Sequence, residues 1–236
     1  MPLFVLVHSP SVGPGTWSAV AGQLTGSGCD VVVPSLLAVG QGGTPFWPRV
    51  AAAVSEQLAG AGGHQPLVLV AHSNAGVFIP VIRRALARSV ACSVFVDATV
   101  PASRGPTPTA PPEFLPFLRG LADAGGVLPR WTDWWQEPDL APMFPDPGVR
   151  DEITAEQPRL PLAYYEERVP VPKGWNDHPC GYLLFGPPYD AEARKARRRG
   201  WSVRSLPGAH LHQTVDPGGV ARLLTELADL PRPPPH

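Results

Sequence analysis

Short, unbroken apolar runs alternate with stretches of helical spacing along the first hundred residues. This alternation limits the possible folds more than any other feature of the chain. The runs are 3–7, 30–33, 67–70 and 93–96. Helices are predicted between them, over about 17–24, 47–58 and 77–88. In the last, Val77, Phe78, Val81, Ile82 and Ala85 recur at helical spacing while Arg83, Arg84 and Arg88 face water. A run without polar alternation needs cover on both faces, as in a parallel sheet whose crossover helices pack on each side. The pattern stops near residue 100 and resumes after Cys180, with strands predicted at 182–185 and 201–206 and helices at 191–199 and 220–230. The expected fold class is α/β: a mostly parallel six-stranded sheet with helices on both faces. Its body is 1–99 and 181–230, interrupted by an insertion over 100–180 and followed by a frayed proline-rich tail at 231–236.

The insertion has a composition of its own. It holds half of the chain's 32 prolines and four of its seven tryptophans. Proline and glycine together make up nearly a quarter of all residues, a share at which disorder becomes a live reading. Against that, hydrophobic residues are 44%, charged residues only 17%, and the net charge is −1. The prolines therefore punctuate a packed protein, and they avoid the strands because proline cannot donate to a ladder. Short helices are predicted at 113–124 and 151–157, with no strand between 100 and 180.

Near-zero charge gives no reason to expect nucleic acid or an anionic membrane as partner. No apolar run approaches the length of a membrane helix, and the apolar start lacks a basic leader and cleavage site, so a cytoplasmic protein is expected. Cys29, Cys92 and Cys180 match neither a disulfide framework nor a zinc spacing. No metal or cofactor is expected. The expected partner is a small-molecule substrate, and a homodimer is compatible with the sequence.

The strongest local signal is Leu-Val-Leu-Val followed by Ala71-His72-Ser73-Asn74-Ala75-Gly76. It reads as a buried strand, a sharp turn of small residues and a helix. A serine there projects above the sheet edge, as in the nucleophile elbow G-x-S-x-G, with Ala71 and Ala75 standing for the glycines. The bland alternative is an ordinary strand-to-helix turn with Ser73 as N-cap.

With this elbow, the chain resembles the α/β-hydrolase superfamily. Two further stretches carry the resemblance: His8-Ser-Pro-Ser-Val-Gly-Pro-Gly-Thr-Trp17 after the first run, similar to the family's His-Gly loop, and Leu206-Pro-Gly-Ala-His210-Leu-His212, similar to the loop of its catalytic histidine. Short members such as hydroxynitrile lyases and plant methyl esterases look nearest, implying the family's sheet without its first two strands. The resemblance implies Ser73 as nucleophile and His210 as base, with His212 the less favoured of the pair. His72 is expected to pack away from Ser73, and His8 to brace its loop.

The acid that orients the base has two candidates. Family usage points to the segment after the next-to-last strand, where Asp190 falls slightly late, behind two prolines. Asp97 ends the fourth apolar run, where a carboxylate needs a buried partner or costs several kcal/mol; some lipases of the superfamily place the acid there. Asp97 is preferred, with Asp190 as the alternative.

For the oxyanion, the resemblance implies a backbone N–H of Asn74 and a second donor after the His-Gly pair. Here that pair reads His8-Ser9 and is followed by Pro10, which has no N–H. The Ser11 N–H, or a hydroxyl of Ser9 or Ser11, would have to substitute. The insertion is expected to cap the site, with Trp131, Trp134 and Trp135 offering an apolar, aromatic surface to substrate. The expected activity is serine-dependent hydrolysis of a small to medium apolar ester, thioester or lactone. The rivals are a lyase or cyclase using the same Ser/His pocket, motivated by Pro10, and a non-enzymatic binder on this fold.

Overall fold

The computed structural model describes residues 2–61 and 63–229; the expected tail at 231–236 and the end of the last predicted helix at Leu230 lie outside them. Eight strands are described: β1 (Leu3–Val7), β2 (Asp30–Val32), β3 (Leu67–His72), β4 (Val90–Val96), β5 (Thr107–Pro108), β6 (Arg168–Val169), β7 (Cys180–Leu184) and β8 (Ser202–Ser205). Six of them form one open sheet in the order β2-β1-β3-β4-β7-β8, and every pairing in it is parallel. This is the six-stranded sheet that the resemblance implies.

The apolar runs lack alternation because each strand feeds two cores. In β1, Leu3, Val5 and Val7 join one cluster while Phe4 and Leu6 join the other; in β3, Leu67, Leu69 and Ala71 divide in the same way from Val68 and Val70. Successive side chains point to opposite faces, so burial of both faces demands an apolar residue at every position. One face is covered by Val50, Val54 and Leu58 of the helix Trp47–Gly60, by Ile79 and Ile82 of Ile79–Ala85, and by Ala193 and Ala196 of Asp190–Arg198. The other is covered by Trp17, Val20 and Leu24 of Gly15–Gly26 and by Val220, Leu224 and Leu227 of Pro217–Ala228.

The third predicted helix differs from expectation. It begins as a tight 3-10 turn, Ser73–Phe78, and continues as an α-helix only to Ala85. Leu86 is already extended, and the Arg88 guanidinium turns back to donate to the Gln65 carbonyl. Gly76 is required within this turn, because a Cβ there would run into the Thr99 carbonyl of the chain leaving β4.

Residues 100–180 do contain strand, contrary to expectation: β5 pairs antiparallel with β6. Two residues each are too few for a periodic signal. The remainder is short helical pieces, among them Leu115–Leu121 and Pro147–Glu156, tied to the sheet-bearing body by side chains. Glu156 accepts from the Gly15 N–H (2.8 Å), and Glu167 accepts from the N–H groups of Phe46 (2.8 Å) and Trp47 (3.2 Å). These are the N-termini of two helices whose own N-cap residues, Pro14 and Phe46, provide no side-chain cap. Orphan N–H groups at a helix start favour an anionic acceptor, so two body helices are capped from the distant segment. All three cysteines are buried free thiols. No helix among the described residues is long and apolar enough to cross a membrane.

Candidate active site

Ser73 stands at the carboxyl end of β3, at the centre of the sheet. Its φ is 59°, in the left-handed region that L-residues other than glycine seldom occupy. Such a backbone persists only where its surroundings over-determine it. Here the Ser73 carbonyl accepts from Thr99 N–H (3.1 Å), and the chain before it is locked between β1 and β4. The strained turn lifts the side chain above the strand ends, where Oγ lies 2.9 Å from His210 Nε2.

His210 follows β8, in a loop held by bonds from Leu206 N–H to the Leu184 carbonyl (2.9 Å) and from Gly208 N–H to the Phe185 carbonyl (3.0 Å). Its Nδ1 lies 2.7 Å from Asp97 Oδ2. Asp97 directly follows β4, is fully buried, and also has a positive φ of 43°. A carboxylate in that position is tolerable only if its oxygens are satisfied. Its Oδ1 accepts from the N–H groups of Phe185 (3.0 Å) and Gly186 (3.4 Å). The loop after β7, where an acid was the alternative expectation, thus supplies backbone donors to Asp97. Asp190 opens the helix Asp190–Arg198 as a first-turn acid, and no hydrogen bond joins it to His210 among the described residues. The structure brings Ser73, His210 and Asp97 together and leaves Asp190 aside.

His72 does more than pack. Its Nε2 bonds the His210 carbonyl (2.8 Å), and the two rings lie 4.6 Å apart. Burial holds its pKa well below the ordinary value, with the nearby His210 adding to the effect, so His72 is a neutral ring that donates to that carbonyl. His212 packs edge-on against Phe185, while Asp216 caps the helix Pro217–Ala228 through Gly219 N–H. His8 is buried, with its pKa lowered to about 4 by desolvation. It accepts at Nε2 from Leu36 N–H (2.9 Å), so its Nδ1 carries the proton that meets the Ser9 carbonyl (2.8 Å).

Around the expected oxyanion position, Ser9 Oγ lies 3.2 Å from Ser11 Oγ, and Ser11 Oγ is in short contact with the Tyr165 hydroxyl. Both serines are buried. The Asn74 side chain is used elsewhere: its amide donates to the Thr109 carbonyl and its Oδ1 accepts from the Tyr164 hydroxyl. Tyr164 and Tyr165 belong to the aromatic surface of 100–180, but that composition gave no sign of the contacts their hydroxyls make with Asn74 and Ser11. Tyr189 had no site role in the sequence reading; its hydroxyl lies 3.3 Å from Ser73 Oγ and its ring stacks on His210 at 4.9 Å and 7°. The only available signal was its position, directly after Pro187-Pro188 in a loop expected to carry an acid.

The three tryptophans divide. Trp131 lies 6.1 Å from His210. Trp134 packs on Tyr165 and donates its indole N–H to the Pro129 carbonyl, and Trp135 stacks with Phe114 and Phe117. Trp175 is remote, buried between Phe95 and Trp201 on the sheet. Among the described residues no group of three or more His, Cys, Asp or Glu could hold a metal ion.

None of the curated proteins matches the sequence significantly. Many solved structures share the fold. An extracellular α/β-hydrolase from a Paenibacillus species, described as structurally and functionally homologous to tobacco salicylic acid binding protein 2, superposes with a TM-score of 0.76 at 18% identity, covering 98% of this chain and 100% of that one. A pyrethroid hydrolase from Sphingobium faniae gives a TM-score of 0.70 at 19% identity, covering 98% of both chains. Tomato methylketone synthase I, complexed with β-ketoheptanoate, gives 0.74 at 15%, covering 97% of both. The sequence model of the alpha/beta hydrolase family matches residues 4–223. With that match spanning nearly the whole chain and the sheet order to go with it, this chain belongs to the α/β-hydrolase family.

Proposed function

We propose that this chain is a serine hydrolase of small to medium, mostly apolar carboxylic esters, thioesters or lactones. Ser73 is the nucleophile, His210 the base and then the acid, and Asp97 the group that orients His210. The observation that carries the reading is the unbroken path from Asp97 Oδ2 through His210 to Ser73 Oγ, at 2.7 and 2.9 Å. Asp97 accepts a hydrogen bond from Nδ1–H, which leaves Nε2 as an acceptor for the Ser73 proton. Ser73 Oγ then attacks the acyl carbon, the proton passes to Nε2, and the carbonyl electron pair becomes an oxyanion. Collapse returns that pair, breaks the bond to the leaving group and passes the proton to it. Water repeats the sequence on the acyl-enzyme.

The oxyanion meets the Asn74 N–H at the start of the turn that follows Ser73, where backbone N–H groups have no acceptor within the turn. With Pro10 unable to donate and the Ser11 N–H directed at Ser9 Oγ (3.4 Å), the second donor is a hydroxyl of Ser9 or Ser11. Residues 100–180 act as a cap, and Trp131, beside His210, forms an apolar wall for the acyl group, with Trp134 and Trp135 behind it. The hydrolases among the structural neighbours support this class of reaction.

One observation favours a second reading. Losing an oxyanion donor costs on the order of 3 kcal/mol, and the Ser9–Ser11–Tyr165 hydroxyls form a chain suited to moving protons. On that reading the same pocket runs a lyase or cyclase reaction. The fold of the tomato methylketone synthase is compatible with it. Fluorophosphonate labelling and hydrolysis of p-nitrophenyl esters in ¹⁸O-water separate the two. Labelling of the wild type but not of Ser73→Ala, with ¹⁸O in the acid product, is expected. Absence of labelling overturns the serine mechanism.

A further inference from the structure

The position of Tyr189 goes beyond the Ser73–His210–Asp97 path, though its meaning rests on Ser73 being the nucleophile. Tyr189 is the residue preceding the helix Asp190–Arg198. Its own N–H donates to the Gly186 carbonyl (3.1 Å), and its carbonyl accepts from Glu192 and Ala193 (3.0 Å each). The side chain is thereby fixed with its ring flat on His210 and its hydroxyl 3.3 Å from Ser73 Oγ.

The direction of that last bond follows from the others. Asp97 Oδ1 faces two backbone N–H groups and can only accept. Asp97 Oδ2 accepts from His210 Nδ1–H, so His210 Nε2 accepts the single proton of Ser73. Ser73 has no second proton to give, and the phenol must donate to a lone pair of Oγ. Burial pushes the Tyr189 phenol pKa up, strongly enough to keep its proton through the working range.

When Oγ bonds to the acyl carbon it becomes an ester-like oxygen, a poorer acceptor than a hydroxyl. The phenol O–H then has no good partner on Ser73, and it sits beside the Nε2–H that must reach the leaving group. We propose that Tyr189 is a further catalytic residue, whose hydroxyl holds Ser73 Oγ before attack and donates a hydrogen bond to the leaving-group oxygen as the tetrahedral intermediate collapses. The proton transferred to the leaving group comes from His210 Nε2, and Tyr189 keeps its own throughout. The flat stack keeps the imidazole plane aimed at both oxygens.

Assistance to a leaving group matters most when that group is a poor one. The test compares Tyr189→Phe with wild type on p-nitrophenyl, phenyl and ethyl butanoate, alongside fluorophosphonate labelling. The variant keeps the ring and the stack. The expected result is a loss of kcat/KM that grows with leaving-group pKa, from under about threefold for the p-nitrophenyl ester to roughly 100-fold for the ethyl ester, with labelling retained. A uniform loss, or none, in an enzyme that still labels overturns the role of Tyr189 alone. A wild type that does not label overturns the serine reading, and this proposal with it. Tyr189→Leu, which also removes the stack, is expected to lower kcat on all three esters and to retain the steeper dependence. A return to the wild-type dependence would count against the donor role.

Discussion

The sheet-bearing body and the 100–180 segment are held together by different physics. In the body, strands alternate side chains between two apolar cores, and backbone ladders satisfy the polar groups. The segment has one pair of two-residue strands and several short helices. Its order comes from aromatic contacts such as Trp131–Trp135, Trp134–Tyr165 and Phe46–Tyr164, and from side chains serving distant backbone groups, as Gln157 does for the Thr132 N–H. The difference teaches where function and stability are to be sought. Ser73, His210 and Asp97 all belong to the body, while the segment caps two of the body's helices.

The sharpest way to break this division is to remove chemistry from the body without touching the fold. Ser73→Ala is expected to lower kcat by roughly 10⁵-fold while leaving the circular dichroism spectrum and unfolding midpoint in place. Residual turnover within tenfold of wild type would move the chemistry elsewhere. Next in size, Asp97→Asn is expected to cost on the order of 10³–10⁴ in kcat, because the amide cannot hold the Nδ1–H tautomer. Asp190→Asn, at the helix start, is expected to stay within about threefold. The opposite ranking would transfer the acid to the β7 loop.

Stability supplies the next test. His8 is neutral in the fold, with its pKa lowered to about 4, whereas the unfolded chain titrates near the ordinary histidine value of 6.5. Between these values the unfolded state binds more protons, so stability falls as pH drops through that window and levels off below it. His178, lowered to about 4 largely by burial, and His72, held by burial well below the ordinary value, act in the same direction. Urea unfolding at pH 7.5 and pH 4.5 is expected to differ by at least ~3 kcal/mol. A flat profile would mean that these rings are hydrated in solution.

The smallest effects should come from the segment's caps. Glu167→Ala uncaps the helix Trp47–Gly60 and Glu156→Ala the helix Gly15–Gly26. Each is expected to lower unfolding stability by about 1 kcal/mol, with kcat changed less than twofold. A drop in kcat matching that of Asp97→Asn would abolish the distinction between the two regions.

Much of the body was legible in the sequence. The runs at 3–7, 67–70 and 93–96 became central strands because buried parallel strands require apolar residues on both faces. The turn at Ser73 was legible because small residues on either side of it admit few conformations. The segment was not, since two-residue strands and aromatic packing leave no period, and prolines mark where structure stops without saying what replaces it. Within the site, residues with a known chemical type and chain order could be nominated. Tyr189, Tyr165 and His72 could not, because nothing in their local sequence points to a partner 116 to 154 residues away.

By itself, then, the sequence determined the α/β architecture, the site of the elbow and the order in which serine, acid and histidine follow along the chain. These depend on local periodicity and on the size of neighbouring residues. Tertiary structure alone decided which carboxylate meets His210. Asp97 and Asp190 were both short acids near strand ends, and only the adjacency of β3, β4 and β7 sets one of them 2.7 Å from the imidazole, under two backbone donors. It also decided that Pro14 and Phe46, which cannot cap a helix, need not do so: glutamates more than a hundred residues away reach the open N–H groups once the chain has folded.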